Sequence, residues 1–253
     1  VIQVGEAQLL GWLSAFLLPF FRILGLFSSA PILSQRAVTL RVRIALSLTL
    51  AALAAPLVPA APAADLGAAS GWLAMASEAL IGFAIGFVAR AILASVEVAG
   101  EVVGLQMGLS FAGFFDPDSG QLNAVSRLMN TLSLSAFVAI GGPALLVAAA
   151  VQSFDVIPPA TAFGDWIGRM QPAALGAGLF ELGVTIALPF MALLLFVNLA
   201  LGVISRIAPQ LNIFAIGFPV TIGAGLVLLA LGLPLLQAPF DLIVERMVSA
   251  LRM

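Results

Sequence analysis

Glu97 and Glu101 stand one helical turn apart, on one face of any helix that carries them. Two carboxylates at that spacing could do acid–base work or relay protons. No partner base, nucleophile or metal-ligand set accompanies them, so the pair reads as a solvated or Arg-paired helix face. Arg22, Glu78 and Arg90 fall within or near apolar stretches, where a charge needs a partner or water. Arg22 is expected to meet a carboxylate or backbone carbonyls. Asp116-Pro117-Asp118-Ser119-Gly120 superficially opens a calcium loop, but its twelfth position is Arg127 and Pro117 sits inside it, so calcium is rejected.

The rest of the inventory closes off most reaction classes. The chain has no Cys, no His and no Tyr, and all of its basic residues are Arg. Thiolate nucleophiles, disulfides, imidazole bases, Schiff-base lysines and nitrogen- or sulfur-ligated metals are excluded together. No enzyme activity, cofactor or metal is expected. A formal net charge of −2 without a basic patch argues against nucleic acid.

These residues are set in an unusually apolar chain. Of 253 residues 62% are hydrophobic and 9% charged, with mean hydropathy +1.18. A soluble domain carries about 25% charged residues, so the composition predicts an all-α polytopic membrane protein. Stretches free of charge run over 44–64, 128–154, 182–205 and 207–240, the last opening on a polar break at Pro209, Gln210 and Asn212. Segments 9–28 and 73–95 are apolar but for Arg22, Glu78 and Arg90. About six hydrophobic helices follow: 9–28, 44–64, 73–95, 128–151, 182–205 and 213–236, treated as one domain over 1–253. Arg36, Arg41, Arg43, Arg90, Arg127 and Arg206 fall on the odd connections, against Arg169, Arg246 and Arg252 opposite. That bias predicts cytoplasmic odd connections and both termini outside. Nothing before Arg22 resembles the basic start of a signal peptide, and Val1 in place of Met reads as an unusual start or a trimmed end.

Two rows of small residues recur every four positions. Glu78, Gly82, Gly86, Arg90 and Ala94 form one; Gly100, Gly104, Gly108 and Ala112 form the other. Glycine lets another backbone approach closely, so Gly82, Gly86, Gly100 and Gly104 are candidate helix-packing positions. The second row runs into a segment that interleaves Leu105, Met107, Phe111, Phe114 and Phe115 with Gly108 and Gly113, and then stops at Pro117. It reads as a mobile or re-entrant element. Beside a membrane such an element could seal a pore, since apolar constrictions close by dewetting, or could tuck into a partner. No internal repeat is evident, which argues against an inverted-repeat transporter.

The densest unusual run is Leu201 to Leu226, a polar tip with Arg206, Pro209, Gln210 and Asn212 between two spans, and within it lies SRIAPQLNIFAIGFP, from Ser205 to Pro219. It resembles the signature of the FliR family of flagellar export proteins and their injectisome counterparts. Two further segments agree in order and spacing: residues 22–31 followed by Arg41-Val-Arg43-Ile, and GLQMGLSFAGFFDP over 104–117. Thr39 departs from the proline the family often carries there.

The resemblance covers essentially the whole chain, and it implies a good deal. The fold would be a FliP-like part followed by a FliQ-like helical hairpin, within a helical export-gate assembly. Partners would be FliP-like and FliQ-like subunits, with FlhB-like and FlhA-like export proteins beside them. The site would be the bacterial inner membrane at the flagellar basal body, in contact with lipid. Unfolded flagellar axial proteins would be the substrates. Leu105, Met107, Gly108, Phe111, Gly113, Phe114 and Phe115 would supply the pore plug. Arg206, Pro209, Gln210, Asn212, Phe218 and Pro219 would form the hairpin tip near the cytoplasmic entrance. In such an assembly some helices face subunits rather than lipid. An injectisome gate subunit and a small-molecule or proton-coupled transporter are the alternatives.

Overall fold

The computed structural model describes residues 6–35, 38–58, 68–109, 123–159, 164, 172–208 and 213–232. Among them every regular element is helical: α1 (Glu6–Ser29), α2 (Leu40–Ala54), α3 (Ala69–Gln106), α4 (Ala124–Ala139), α5 (Gly142–Val156), α6 (Pro172–Ile207) and α7 (Ile213–Gly232). The chain is an all-α polytopic membrane protein. Three segments, Leu40–Leu57, Ala69–Gln106 and Gly176–Ile207, are long and apolar enough to cross a bilayer, and α4 with α5 makes a fourth if the bent pair is one span. Shorter apolar helices cover Leu13–Ser29 and Ile216–Leu231.

Local chemistry explains where these helices depart from the hydropathy spans. α2 stops at Ala54 and passes into a 3-10 turn over Ala55–Leu57, because Pro56 has no N–H to continue the ladder. The apolar stretch 128–151 is two helices. Gly141 takes a left-handed φ of 76° and its carbonyl accepts the first bonds of α5, from Ala144 and Leu145. Pro143 follows at the start of α5, where its missing N–H does no harm. Pro19, Pro189 and Pro219, by contrast, lie inside continuous helices. α3 runs on unbroken past 95 to Gln106, so the Gly100 and Gly104 row is helical.

The helices form two compact units. The first comprises α1, α2, α3 up to Ala91, and α5. Gly25 of α1 lies against the Ala79 backbone of α3, and Gly82 and Gly86 lie against the backbone of α1 at Arg22, Leu26 and Ala30. A Cβ at Gly25 or Gly82 would overlap main-chain atoms, so only glycine allows this approach. Ser29 Oγ donates across the seam to the Phe83 carbonyl at 2.6 Å. Leu18, Ala74 and Met75 form a buried cluster, with Leu17 and Phe21 packed on it.

The second unit comprises α3 from Ile92, α4 up to Ser135, α6 from Gly176, and α7. Its buried side chains include Val103, Met107, Met129, Ile186, Phe190 and Leu194. Gly183 sits on α3 beside the Ser95 carbonyl and the Val98 side chain, and Gly100 sits against Ser126 of α4.

Candidate functional site

In the first unit two of the three charges expected to need a partner or water are paired with each other. Arg22 and Glu78 are both fully buried, and Arg22 Nε donates to Glu78 Oε2 at 2.5 Å. The remaining guanidinium nitrogens reach α5: Nη1 donates to Ser153 Oγ at 2.9 Å and Nη2 to the Ile157 carbonyl at 3.1 Å. The Phe154 ring lies 3.6 Å from the guanidinium carbon, a cation–π contact. One arginine therefore ties α1 to α3 and α5. A guanidinium suits this because its planar fork presents five donors and satisfies several acceptors at once. Arg90 of the same four-residue row is exposed. Four residues advance a helix by 400°, so a row straight in sequence drifts about 40° per step and leaves the interface within three steps.

In the second unit Glu101 is half-buried on α3. Its Oε1 accepts the Asn123 backbone N–H at 3.0 Å, and its Oε2 accepts Asn123 Nδ2 at 2.9 Å. Asn123 Oδ1 in turn accepts the Ser126 N–H at 2.8 Å, capping the first turn of α4. Ser126 Oγ donates to the Glu97 carbonyl at 2.9 Å. Gly104 lies under the Asn123 side chain. The carboxylate is thus committed to holding the start of α4 on α3.

The candidate plug segment divides at Gly108. Leu105 is exposed on α3, whereas Met107 is only 1% exposed. The helix ends in a Schellman arrangement: Leu109 N–H donates to the Gly104 carbonyl and Gly108 N–H to the Leu105 carbonyl, both at 3.0 Å. Gly108 takes φ +79°, a left-handed backbone that side chains disfavour. The Met107 side chain lies over Gly225 of α7, and Gly108 faces the Phe218 ring. Thr221 Oγ1 donates to the Met107 carbonyl (3.2 Å) or the Phe218 carbonyl (3.0 Å), and Asn198 Nδ2 of α6 to the Gln106 carbonyl (3.3 Å). Phe111, Gly113, Phe114 and Phe115 lie outside the described residues.

At the candidate hairpin tip, Arg206 is exposed in the last turn of α6, where a cation complements the helix carbonyls. Pro219 is exposed within α7 and Phe218 is half-buried. Pro209, Gln210 and Asn212 lie outside the described residues. Among the described residues no cluster of acidic side chains could hold a metal ion. Several residues escaped the sequence reading: Ser153, Phe154, Asn123, Asn198, Thr221 and Gly225. Only Asn123 carried a local signal, an Asn three residues before Ser126 at the start of an apolar run.

Long apolar faces remain open. On α6, Phe180, Leu195, Phe196, Leu199 and Ile207 are all more than 60% exposed, and on α7 Leu231 is 72% exposed. Such area requires lipid or another chain.

Residues 13–247 match the profile of the bacterial export proteins, family 1. The sequence is similar to the flagellar biosynthetic protein FliR of Escherichia coli K12, 41% identical over 244 residues, covering 95% of this chain and 92% of that one. It is similar also to the protein of the same name from Pectobacterium carotovorum subsp. carotovorum, 38% identical over 234 residues (92% and 89%). The Bacillus subtilis 168 protein of that name is 31% identical over 219 residues (85% and 84%).

Proposed function

The chain belongs to the bacterial export proteins, family 1, and from that membership we propose that it is a non-enzymatic subunit of the flagellar protein-export gate. The observation that carries this reading is the breadth of the match, which runs from within α1 past the end of α7. The protein is membrane-embedded, and in this reading it stands in the bacterial inner membrane at the flagellar basal body. FliP-like and FliQ-like subunits assemble with it, next to FlhB-like and FlhA-like proteins, and unfolded flagellar proteins are the substrates. The open apolar faces of α6 and α7 support such an assembly, because apolar side chains in lipid gain little by themselves and close packing against a neighbour supplies the attraction.

In the proposed mechanism the whole chain acts as one FliR-like domain, a FliP-like part followed by a FliQ-like hairpin. The segment around Leu105, Met107, Gly108, Phe111, Gly113, Phe114 and Phe115 forms the plug. Apolar side chains narrow the pore until water leaves it, and ions then meet a desolvation barrier. Arg206, Pro209, Gln210, Asn212, Phe218 and Pro219 belong to the hairpin tip at the cytoplasmic entrance. No covalent step is needed, which agrees with a side-chain inventory lacking His, Cys and Lys.

Co-expression with the neighbouring export genes and native mass spectrometry of the solubilised complex tests the assembly. A stable complex with FliP-like and FliQ-like chains is expected. A lone monomer or homodimer, with those chains present and folded, would overturn it. Deletion of residues 111–115 is expected to make the assembled gate leak small ions, and unchanged conductance would remove the plug.

A further inference from the structure

The carbonyl end of α3 is finished by residues more than ninety positions away in sequence. A helix leaves its last four carbonyls without partners in its own ladder. Here Gly104 and Leu105 are satisfied by the Schellman bonds, Gln106 accepts from Asn198, and Met107 shares the Thr221 hydroxyl with the Phe218 carbonyl. Phe218, Thr221 and Gly225 fall three and four residues apart, on one face of α7. A Cβ added at Gly225 would come within 2.5–2.6 Å of Met107 Cγ, Sδ and Cε, so the missing side chain is the space Met107 fills.

We infer that this face of α7 is a socket for Met107 and Gly108, making the end of α3 a fixed anchor for the base of the plug segment proposed above. Withdrawal would strand the Gln106 and Met107 carbonyls in apolar surroundings and strip the cover from a buried methionine, two costs that add. Thr221 and Asn198 are positioning residues: they touch backbone, and act through where α3 ends. The socket's geometry stands by itself, but its consequence for export rests on the gate reading.

The natural absence of Cys makes a direct test available. Met107→Cys with Gly225→Cys, in the full chain within its assembled complex, is oxidised and export of an axial flagellar protein is followed. The expected result is ready disulfide formation with export within about twofold of the reduced complex. No crosslink would overturn the socket. A crosslink that stops export until reductant is added would overturn the fixed anchor. Thr221→Val, which keeps shape but removes the donor, is expected to slow crosslinking or lower its yield about fivefold, the equivalent of one ordinary hydrogen bond. Thr221→Ser should restore it, and equal yields in all three would remove Thr221 from the role. Ion leak on deletion of residues 111–115, measured in parallel, separates failure of the gate reading from failure of the anchor: absence of leak leaves the crosslinking result unaffected.

Discussion

Arg22 of α1 and Glu78 of α3, 56 residues apart, form an ion pair in which both side chains are fully buried. Such a pair is weak support for stability, since the desolvation of both ions offsets their attraction, but breaking it leaves a bare buried charge. The α1–α3 seam around it is paved with Gly25, Gly82 and Gly86. Smooth backbone contact of that kind opposes sliding poorly, so the pair and the Ser29–Phe83 bond supply the direction that apolar packing lacks.

Glu78→Leu is therefore expected to destabilise the first unit by about 3–5 kcal/mol, because Arg22 keeps its charge and loses its counter-ion. Arg22→Met with Glu78→Leu should recover most of that loss. The detergent-solubilised melting midpoint, followed by size exclusion, reads both. A Glu78→Leu protein as stable as the parent would contradict the assignment.

Gly82→Ala should cost about 1–3 kcal/mol, the range of overpacking, since the new methyl meets the carbonyl of Arg22 rather than a movable side chain. Gly202 and Gly223 face open space. Alanine there should be neutral or stabilising by up to about 1 kcal/mol. Equal effects at 82 and 202 would show that helix propensity, not close approach, governs the seam.

Asn123 serves as helix cap and as donor to Glu101, and its variants separate the two roles. Asn123→Ala should cost about 1–2 kcal/mol through the lost cap alone. Asn123→Asp keeps the cap acceptor but sets a carboxylate against Glu101, so it should be the worse of the two at neutral pH. Proteolysis rates at the start of α4 would rank them. Asp matching the parent would refute the Glu101 contact.

Gly108 is constrained by its backbone and by its neighbour. Asn tolerates a left-handed φ and a β-branched residue does not, so export should fall in the order Gly108, Asn, Val. A charged side chain introduced there would also press on the Phe218 ring and should impair export more than Asn does. Export assays of accumulated flagellar subunits in the culture medium supply the ranking, and normal export by a charged variant would count against close approach at this position.

Much of the architecture was legible in advance. Long uncharged apolar runs predict helices in a bilayer, because a helix satisfies its backbone groups within one segment. Gly82 and Gly86, and Gly100 and Gly104, are spaced by four residues, and each lies against another segment. The break at Gly141 was less legible, since Gly and Pro sit within an apolar run that hydropathy reads as one.

What composition and periodicity determined was therefore the class: helical, membrane-embedded, poor in reactive side chains, with small residues on particular helix faces. Which faces meet was decided only in three dimensions. Nothing local in sequence links Arg22 to Ser153 across 131 residues, or Met107 to Thr221 across 114. Hydrophobic burial is non-directional and treats lipid-facing and protein-facing leucines alike. Hydrogen bonds and buried charge do discriminate, because an unmet polar group in apolar surroundings is costly. The tertiary fold chose the partners of Arg22, Glu101 and the end of α3 by satisfying those few groups together.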